Sequence, residues 1–163
     1  YIKRGPIDEV NDPFEAGKVP NLVSINSCLM TDLTGQVCSE SIAGRQYSGT
    51  GGQLDFVRAV ALSRGGRSIL CLKSTHTRRD GTLESNIKAV LPEGAVVTTP
   101  RTDVMYIATE YGVAGLFDQT LEERAYRLIN IAHPDFRQTL FSEAVGRGII
   151  RRGRADAGRI RLD

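Results

Sequence analysis

The run Ser48-Gly49-Thr50-Gly51-Gly52-Gln53 places three glycines directly ahead of an apolar segment at 54–62. Without Cβ atoms such a backbone can approach a ligand closely, and the first N–H groups of a following helix point at it. Donors of this kind suit a phosphate, a carboxylate or the oxyanion of a tetrahedral intermediate. The spacing lacks the third glycine of the dinucleotide fingerprint, and no Lys-Ser/Thr pair follows to make a Walker-type phosphate loop. By itself the loop reads equally well as a tight structural turn.

The other chemistry-bearing residues point less clearly. Cys28, Cys38 and Cys71 are odd in number, and their spacing fits neither a zinc site nor a redox pair. They read as buried, reduced thiols of a cytoplasmic protein. A catalytic thiol wants a partner base, and His76 and His133 are the only histidines. His133 sits in Ala-His-Pro-Asp-Phe between two helical segments and reads as structural. His76 and Arg78-Arg79 belong to a polar excursion at 73–85 that reads as a solvated loop.

The elements that must position these groups follow from pattern. Residues 1–20 read as an irregular connection, with Asn11-Asp12-Pro13 as a strong turn signal. Residues 21–31 read as a strand that turns at Asp32-Leu33-Thr34-Gly35 into a second at 36–39, a hairpin. After the glycine loop, Leu54, Val57 and Ala61 fall at helical spacing, with Phe56 and Val60 on an adjoining stripe. Strands are expected at 68–72, 95–99 and 104–109. Thr120 caps a helix with Glu123 at the capping-box position. That helix is expected to bury Leu121, Ala125, Leu128, Ile129 and Ala132, and a second helix runs from 135 to 145. Strands alternating with helices make an α/β sheet, mixed because of the early hairpin.

Length and composition suit one folded unit: 163 residues, 40% hydrophobic and 25% charged. No apolar run approaches the roughly 20 residues of a membrane helix, and the start lacks both a signal-peptide core and a Met, as expected of a chain that begins inside a longer protein. The net charge is +2, yet residues 146–163 hold six Arg against two Asp. That Gly/Arg segment reads as a solvated, disordered tail; a nucleic-acid binder would concentrate its positive charge on folded elements.

Several motifs occur together in order. They are Gly49-x-Gly51-Gly52-Gln53-x-Asp55-Phe56, Ser74-Thr75, Val97-Thr98-Thr99-Pro100-Arg101, Ala108-Thr109-Glu110-Tyr111-Gly112-Val113-Ala114, Glu123-Arg124-Ala125 and Ile131-Ala132-His133-Pro134-Asp135-Phe136-Arg137. From about 11 to 145 the chain resembles the C-terminal domain of the acetyl-CoA hydrolase/transferase family, which includes acetate, butyrate, 4-hydroxybutyrate and succinate CoA-transferases. The resemblance implies a mixed, largely parallel α/β sheet flanked by helices, CoA-transferase-like (NagB/RpiA/CoA-transferase type). It divides the chain into 1–20, a linker from an N-terminal half; 21–145, the domain; and 146–163, the tail. It departs from the usual pattern at 78–84, which is longer or more polar, and at Leu116-Phe117-Asp118.

The resemblance further implies a ping-pong reaction in which a glutamate carboxylate attacks an acyl-CoA thioester and passes through a glutamyl-CoA intermediate. That glutamate belongs to a motif upstream of Asn11 that this chain does not contain, and Glu9 stands in the wrong setting for it. Three positions match active-site positions of the family: Asn11, which positions the nucleophile; Gly52, whose N–H helps form an oxyanion hole; and Glu110, a second carboxylate. Gly49, Gly51, Gln53 and Lys73 are expected to line the acyl-CoA cleft. Asn11 could equally make an Asx turn before Pro13. Glu110 could be a surface or ion-paired carboxylate, although it leaves a strand end, where α/β sites form. Two neighbouring carboxylates would raise one pKa. Coenzyme A enters as substrate, with no metal and no permanently bound cofactor. The expected partners are acyl-CoA, small carboxylic acids, the N-terminal half and further copies of the chain, with neither nucleic acid nor membrane. Open beside this stand an acyl-CoA hydrolase and a non-catalytic CoA-binding or assembly domain.

Overall fold

The computed structural model describes residues 4–151. The chain runs through α1 (Ile7–Val10), α2 (Pro13–Gly17), β1 (Val23–Ser27), β2 (Met30–Asp32), β3 (Val37–Cys38), β4 (Ser41–Ile42), β5 (Arg45–Gln46) and α3 (Gln53–Leu62). It continues through β6 (Arg67–Cys71), β7 (Thr75–Thr77), β8 (Leu83–Ser85), β9 (Ile87–Lys88), β10 (Tyr106–Thr109), β11 (Gly112–Gly115), α4 (Leu121–Asn130) and α5 (Pro134–Gly146). Among the described residues no helix is long and apolar enough to cross a membrane.

The main sheet has the order β1-β6-β10-β11, with β1, β6 and β10 parallel and β11 antiparallel. This is the mixed, mainly parallel α/β sheet expected from the sequence. Strand alternation splits its faces. Ser24, Ser68, Leu70, Ile107 and Ala114 are buried, whereas Val23, Ile25 and Val113 on the opposite set are exposed. Helix α3 packs against β1 and β6, and α4 against β11. The core joins Val57 of α3, Leu70, Ile107, and Ala125, Leu128 and Ile129 of α4.

Backbone bonds fix the direction of α3. Its end and the following turn return to the start of β1: Asn21 N–H donates to Arg64 O at 2.9 Å and Leu22 N–H to Ser63 Oγ at 3.1 Å. Ten helical residues span about 15 Å, close to the length of a five-residue strand. The N-terminus of α3, with the glycine loop, therefore lies at the edge where the parallel strands end. Ligands of open α/β sheets bind at that edge.

Several expectations are corrected. The segment 21–31 divides: β1 joins the parallel sheet, and only β2 forms the hairpin with β3. Residues 95–99 form no strand beyond one bridge between Val37 and Thr99, because the Thr98 hydroxyl bonds Ser39 N–H and Glu40 instead of leaving the backbone to a ladder. The excursion 73–85 is a β7–β8 hairpin closed at Asp80-Gly81. Residues 1–20 contain the helical turns α1 and α2, and Asp12, not Asn11, makes the Asx-type cap by accepting from Phe14 N–H. On α3 the buried stripe is Gln53, Val57 and Val60 with Ala59, and Ala61 is exposed. The capping box of α4 forms as expected, but Leu121 is 45% exposed. Helix α5 ends at Gly146, and Ile150 is 1% exposed in the core, so packing runs past 145; residues 152–163 of the tail lie outside the described residues.

Two buried polar residues hold the smaller sheet: Asp32 closes its β2–β3 turn, and Arg124 ties it to α4. Asp32, 1% exposed, accepts from Thr34 N–H and Oγ1 and from Gln36 N–H and Nε2. Arg124 donates from α4 to the carbonyls of Thr34, Arg101 and Gln119. Asp32→Ala leaves four donors without their acceptor. An expected loss of about 3 kcal/mol follows, measurable as a lowered urea midpoint at unchanged slope.

Candidate active site

The glycine loop is held at both ends by one threonine pair. Before it, Glu40, 3% exposed, accepts from Thr98 Oγ1 at 3.0 Å and from Gln46 Nε2 at 2.9 Å. Gln46 Nε2 also reaches the Ser48 carbonyl at 2.6 Å. After the loop, Gln53 Nε2 donates to Thr99 Oγ1 at 2.9 Å. The loop between is exposed. A Cβ built on Gly49 or Gly51 meets nothing within 4 Å, and Gly51 has φ +56°. The loop therefore offers a bare backbone with open space in front of it.

Gly52 is the N-cap of α3, whose first-turn N–H groups have no intrahelical acceptor. A Cβ on Gly52 would stand 2.5 Å from Asn11 Nδ2, so the Asn11 amide lies directly against it. The structure thus brings together two residues 41 positions apart, and Asn11 forms a side-chain wall of the helix N-terminus. The same Asn11 lines a cavity of about 380 Å³ with Asp12, Pro13 and Asp55. The expectation that Gln53 lines the cleft is corrected: its side chain is buried and turned to Thr99, holding the loop from behind.

Glu110 stands on the two-residue turn between β10 and β11. It lines an open cleft of about 520 Å³ with Ser27, Cys28, Cys71, Lys73 and Thr109, all at the ends of the parallel strands. Lys73 and Glu110 are thereby brought to one cleft, on the sheet edge that also carries the glycine loop. The turn is braced from behind. Thr109 Oγ1 donates to Ile131 O at 2.6 Å and accepts from Tyr111 N–H at 3.1 Å. The Tyr111 ring meets His133 edge-on at 5.4 Å, with the Arg137 guanidinium 5.7 Å from its centroid. His133 is the N-cap of α5, its Nδ1 accepting from Asp135 N–H, so its role here is structural.

Among the described residues of this chain, Glu110 stands without the second carboxylate that was expected to raise one pKa of the pair. Partial burial pushes its carboxyl up, but Ser74 Oγ, its own N–H and Ser74 N–H outweigh that, with a smaller contribution from His133, and hold it below the usual carboxylate value. Glu110 is an anion throughout the neutral range. Burial pushes the neighbouring Cys28 thiol up to about 12, with Cys71 and Cys38 adding to the effect, so that thiol is no nucleophile. In the sequence Ser74 belongs to a motif that assigns it no role, and Glu40 belongs to none of the motifs. The signal for Glu40 was a lone carboxylate among small residues in Cys38-Ser39-Glu40-Ser41.

A phosphate, a carboxylate or a developing oxyanion fits the loop and the α3 N-terminus, and the Glu110 anion faces the same edge. Against known families, residues 2–144 match the acetyl-CoA hydrolase/transferase C-terminal domain. The 4-hydroxybutyrate coenzyme A transferase of Clostridium kluyveri is 53% identical over 137 residues, which cover 84% of this chain and 31% of that protein. The succinyl-CoA:cyclohexane-1-carboxylate CoA transferase of Geobacter metallireducens is 52% identical over 88% of this chain and 32% of its own length. Among solved structures, RipA from Yersinia pestis superposes with a TM-score of 0.79 at 47% identity, over 89% of this chain and 32% of that one. The 4-hydroxybutyrate CoA-transferase of Porphyromonas gingivalis does so with a TM-score of 0.69 at 43% identity, over 88% of this chain and 31% of that one. The chain spans about a third of the length of the curated relatives it matches. With the motifs and the sheet in agreement, this chain belongs to the acetyl-CoA hydrolase/transferase family, as its C-terminal domain.

Proposed function

We propose that the chain is the C-terminal part of a CoA-transferase that moves coenzyme A between small carboxylic acids through a glutamyl-CoA thioester, with the nucleophilic glutamate outside these 163 residues. The observation that carries this reading is the bare glycine backbone at the α3 N-terminus, walled by Asn11, on the same sheet edge as the fixed Glu110 carboxylate. A carboxylate is a weak nucleophile, so such a reaction depends on orienting it and on stabilising the oxyanion it creates. In this reading the Gly52 N–H meets the oxyanion and Asn11 orients the attacking carboxylate. Gly49 and Gly51 allow the thioester to approach, and Glu110 accepts or relays protons. Lys73 offers a cation to a CoA phosphate or to an acid in the Glu110 cleft. Coenzyme A acts as substrate, not as a resident cofactor. The protein works in the cytoplasm as a homo-oligomer, and this domain meets the N-terminal part of the same enzyme.

The test is an assay of the full-length parent protein with acetyl-CoA in the presence and absence of a carboxylate acceptor. Acceptor-dependent formation of a new acyl-CoA supports the transferase. CoA release at the same rate without acceptor replaces it with a hydrolase. The 163-residue chain alone is expected to show no turnover; CoA transfer by the isolated chain would contradict a nucleophile located elsewhere.

A further inference from the structure

Glu110 is exposed on a tight turn, yet both of its carboxylate oxygens are held. The group that holds them is Ser74, which is 0% exposed. Its N–H lies 3.3 Å from one oxygen and 3.0 Å from the other, and its Oγ donates to Oε1 at 2.5 Å. Ser74 follows the end of β6, the strand beside β10, so the bonds cross from one parallel strand end to the next. Ser74 is itself anchored: Asn86 N–H donates to Ser74 O at 2.7 Å, and Asn86 Nδ2 to Lys73 O at 2.8 Å. Asn86 Oδ1 in turn lies 2.7 Å from His76 Nδ1.

We propose that Ser74 is the positioning residue of Glu110: it fixes the rotamer of an otherwise free surface glutamate and occupies Oε1, so that the remaining lone pairs face the cleft. This rests on the reading of Glu110 given above, and it explains a fully buried hydroxyl at the rim of a site. A glutamate on an exposed turn otherwise populates several rotamers, and only a fraction of them present the carboxylate to a ligand. An acid-base group held by a packed neighbour is already placed when substrate arrives.

The other groups at this edge set the background against which Ser74 is read. Lys73, Cys28 and Cys71 line the same cleft from the β1 and β6 ends. His133 approaches from the α5 N-terminus and adds to the lowering of Glu110, while Arg137 stands behind the Tyr111 ring. An acidic limb is assigned to Glu110 by its loss in Glu110→Gln.

The experiment uses Ser74→Ala in the full-length protein, which removes the hydroxyl and keeps the backbone N–H. Two readouts are taken: the ¹³C carboxyl titration of Glu110, assigned with Glu110→Gln, and the pH profile of kcat for CoA transfer. The expected result is a Glu110 titration moved up toward the ordinary carboxylate range, with the acidic limb of kcat moving by the same amount. At neutral pH kcat falls about ten- to a hundredfold, and KM for acyl-CoA stays within about twofold. A titration midpoint that does not move overturns the proposal whatever the activity does. A midpoint that moves while the rate profile stays put upholds Ser74 as the holder of Glu110 and removes Glu110 from the reaction, so the two failures are distinguishable.

Discussion

Glu110→Gln is expected to lower kcat of CoA transfer by about 10²–10⁴-fold, the range typical of a lost acid-base group, with KM for acyl-CoA nearly unchanged. The replacement keeps the length and planarity of the side chain, so the β10–β11 turn and its brace through Thr109, Tyr111 and His133 remain. What disappears is the anion. One amide oxygen can still accept from Ser74, but the NH₂ group must then meet the other donors at this turn. The pH dependence follows from the direction of the shift. A carboxyl held below its usual value is ionised through the neutral range, and activity that needs the anion declines only when pH drops below the ordinary carboxylate range. The variant's profile is flat there. The same sign applies to stability: the folded-state advantage of the anion is present above the unfolded carboxyl pKa and is lost as pH falls through the lower folded value. Because Glu110 is exposed, solvent screening keeps that contribution small. Steady-state kinetics of the full-length enzyme from about pH 3 to 8 reach below the ordinary carboxylate range and check the activity profile, and an acidic limb retained by Glu110→Gln would assign it to another group.

The parts of the fold that were legible are those where one local signal dominated. The continuous run at 68–72 became β6, and the Thr120/Glu123 pair capped α4 through reciprocal bonds. The helix after the glycine loop was legible as a helix, but its buried face was not. Leu54, Phe56, Val57, Ala59, Val60, Ala61 and Leu62 surround most of its circumference, and periodicity cannot rank such a set. Packing against β1, β6 and α2 settles that orientation, and no pattern in α3 encodes it. The β7–β8 hairpin was missed for the opposite reason. Its strands are polar, and Asp80-Gly81 was the one turn signal available. In the site, the glycine loop announced itself, whereas the pairing of Asn11 with Gly52 and of Ser74 with Glu110 joins residues 41 and 36 positions apart. The first contact arises from α2 packing on α3, the second from the parallel order β1-β6-β10, which brings the β6 and β10 ends together. Family likeness supplied Asn11, Gly52 and Glu110; the bond that orients Glu110 had to come from geometry.

The three loop glycines are expected to respond differently to alanine, and the difference separates loop conformation from ligand approach. Gly52→Ala places a methyl 2.5 Å from Asn11 Nδ2 at a helix N-cap whose φ of −92° suits alanine. The backbone is unstrained, so the substitution acts by pushing the Asn11 amide aside. With the orienting amide displaced and the backbone donor left in place, kcat should fall about 10²-fold. Asn11→Ala removes the amide that the methyl would strike. In the double variant the stability lost through Gly52→Ala should largely return, while activity stays at the level of Asn11→Ala, so both cycles are non-additive: one because the clash is relieved, the other because both changes remove the same amide. Gly51→Ala meets no neighbour but must hold φ +56°, a strain of about 1 kcal/mol that appears in the unfolding midpoint. Gly49→Ala meets neither obstacle: its Cβ has nothing within 4 Å and its φ lies outside the left-handed region. Its stability should match the parent or rise slightly, because alanine restricts the unfolded chain. A raised KM for acyl-CoA at unchanged stability would then report a substrate filling the space that the free loop leaves open. Unchanged KM and kcat in Gly49→Ala would place the thioester away from this end of the loop and confine its approach to Gly51 and Gly52.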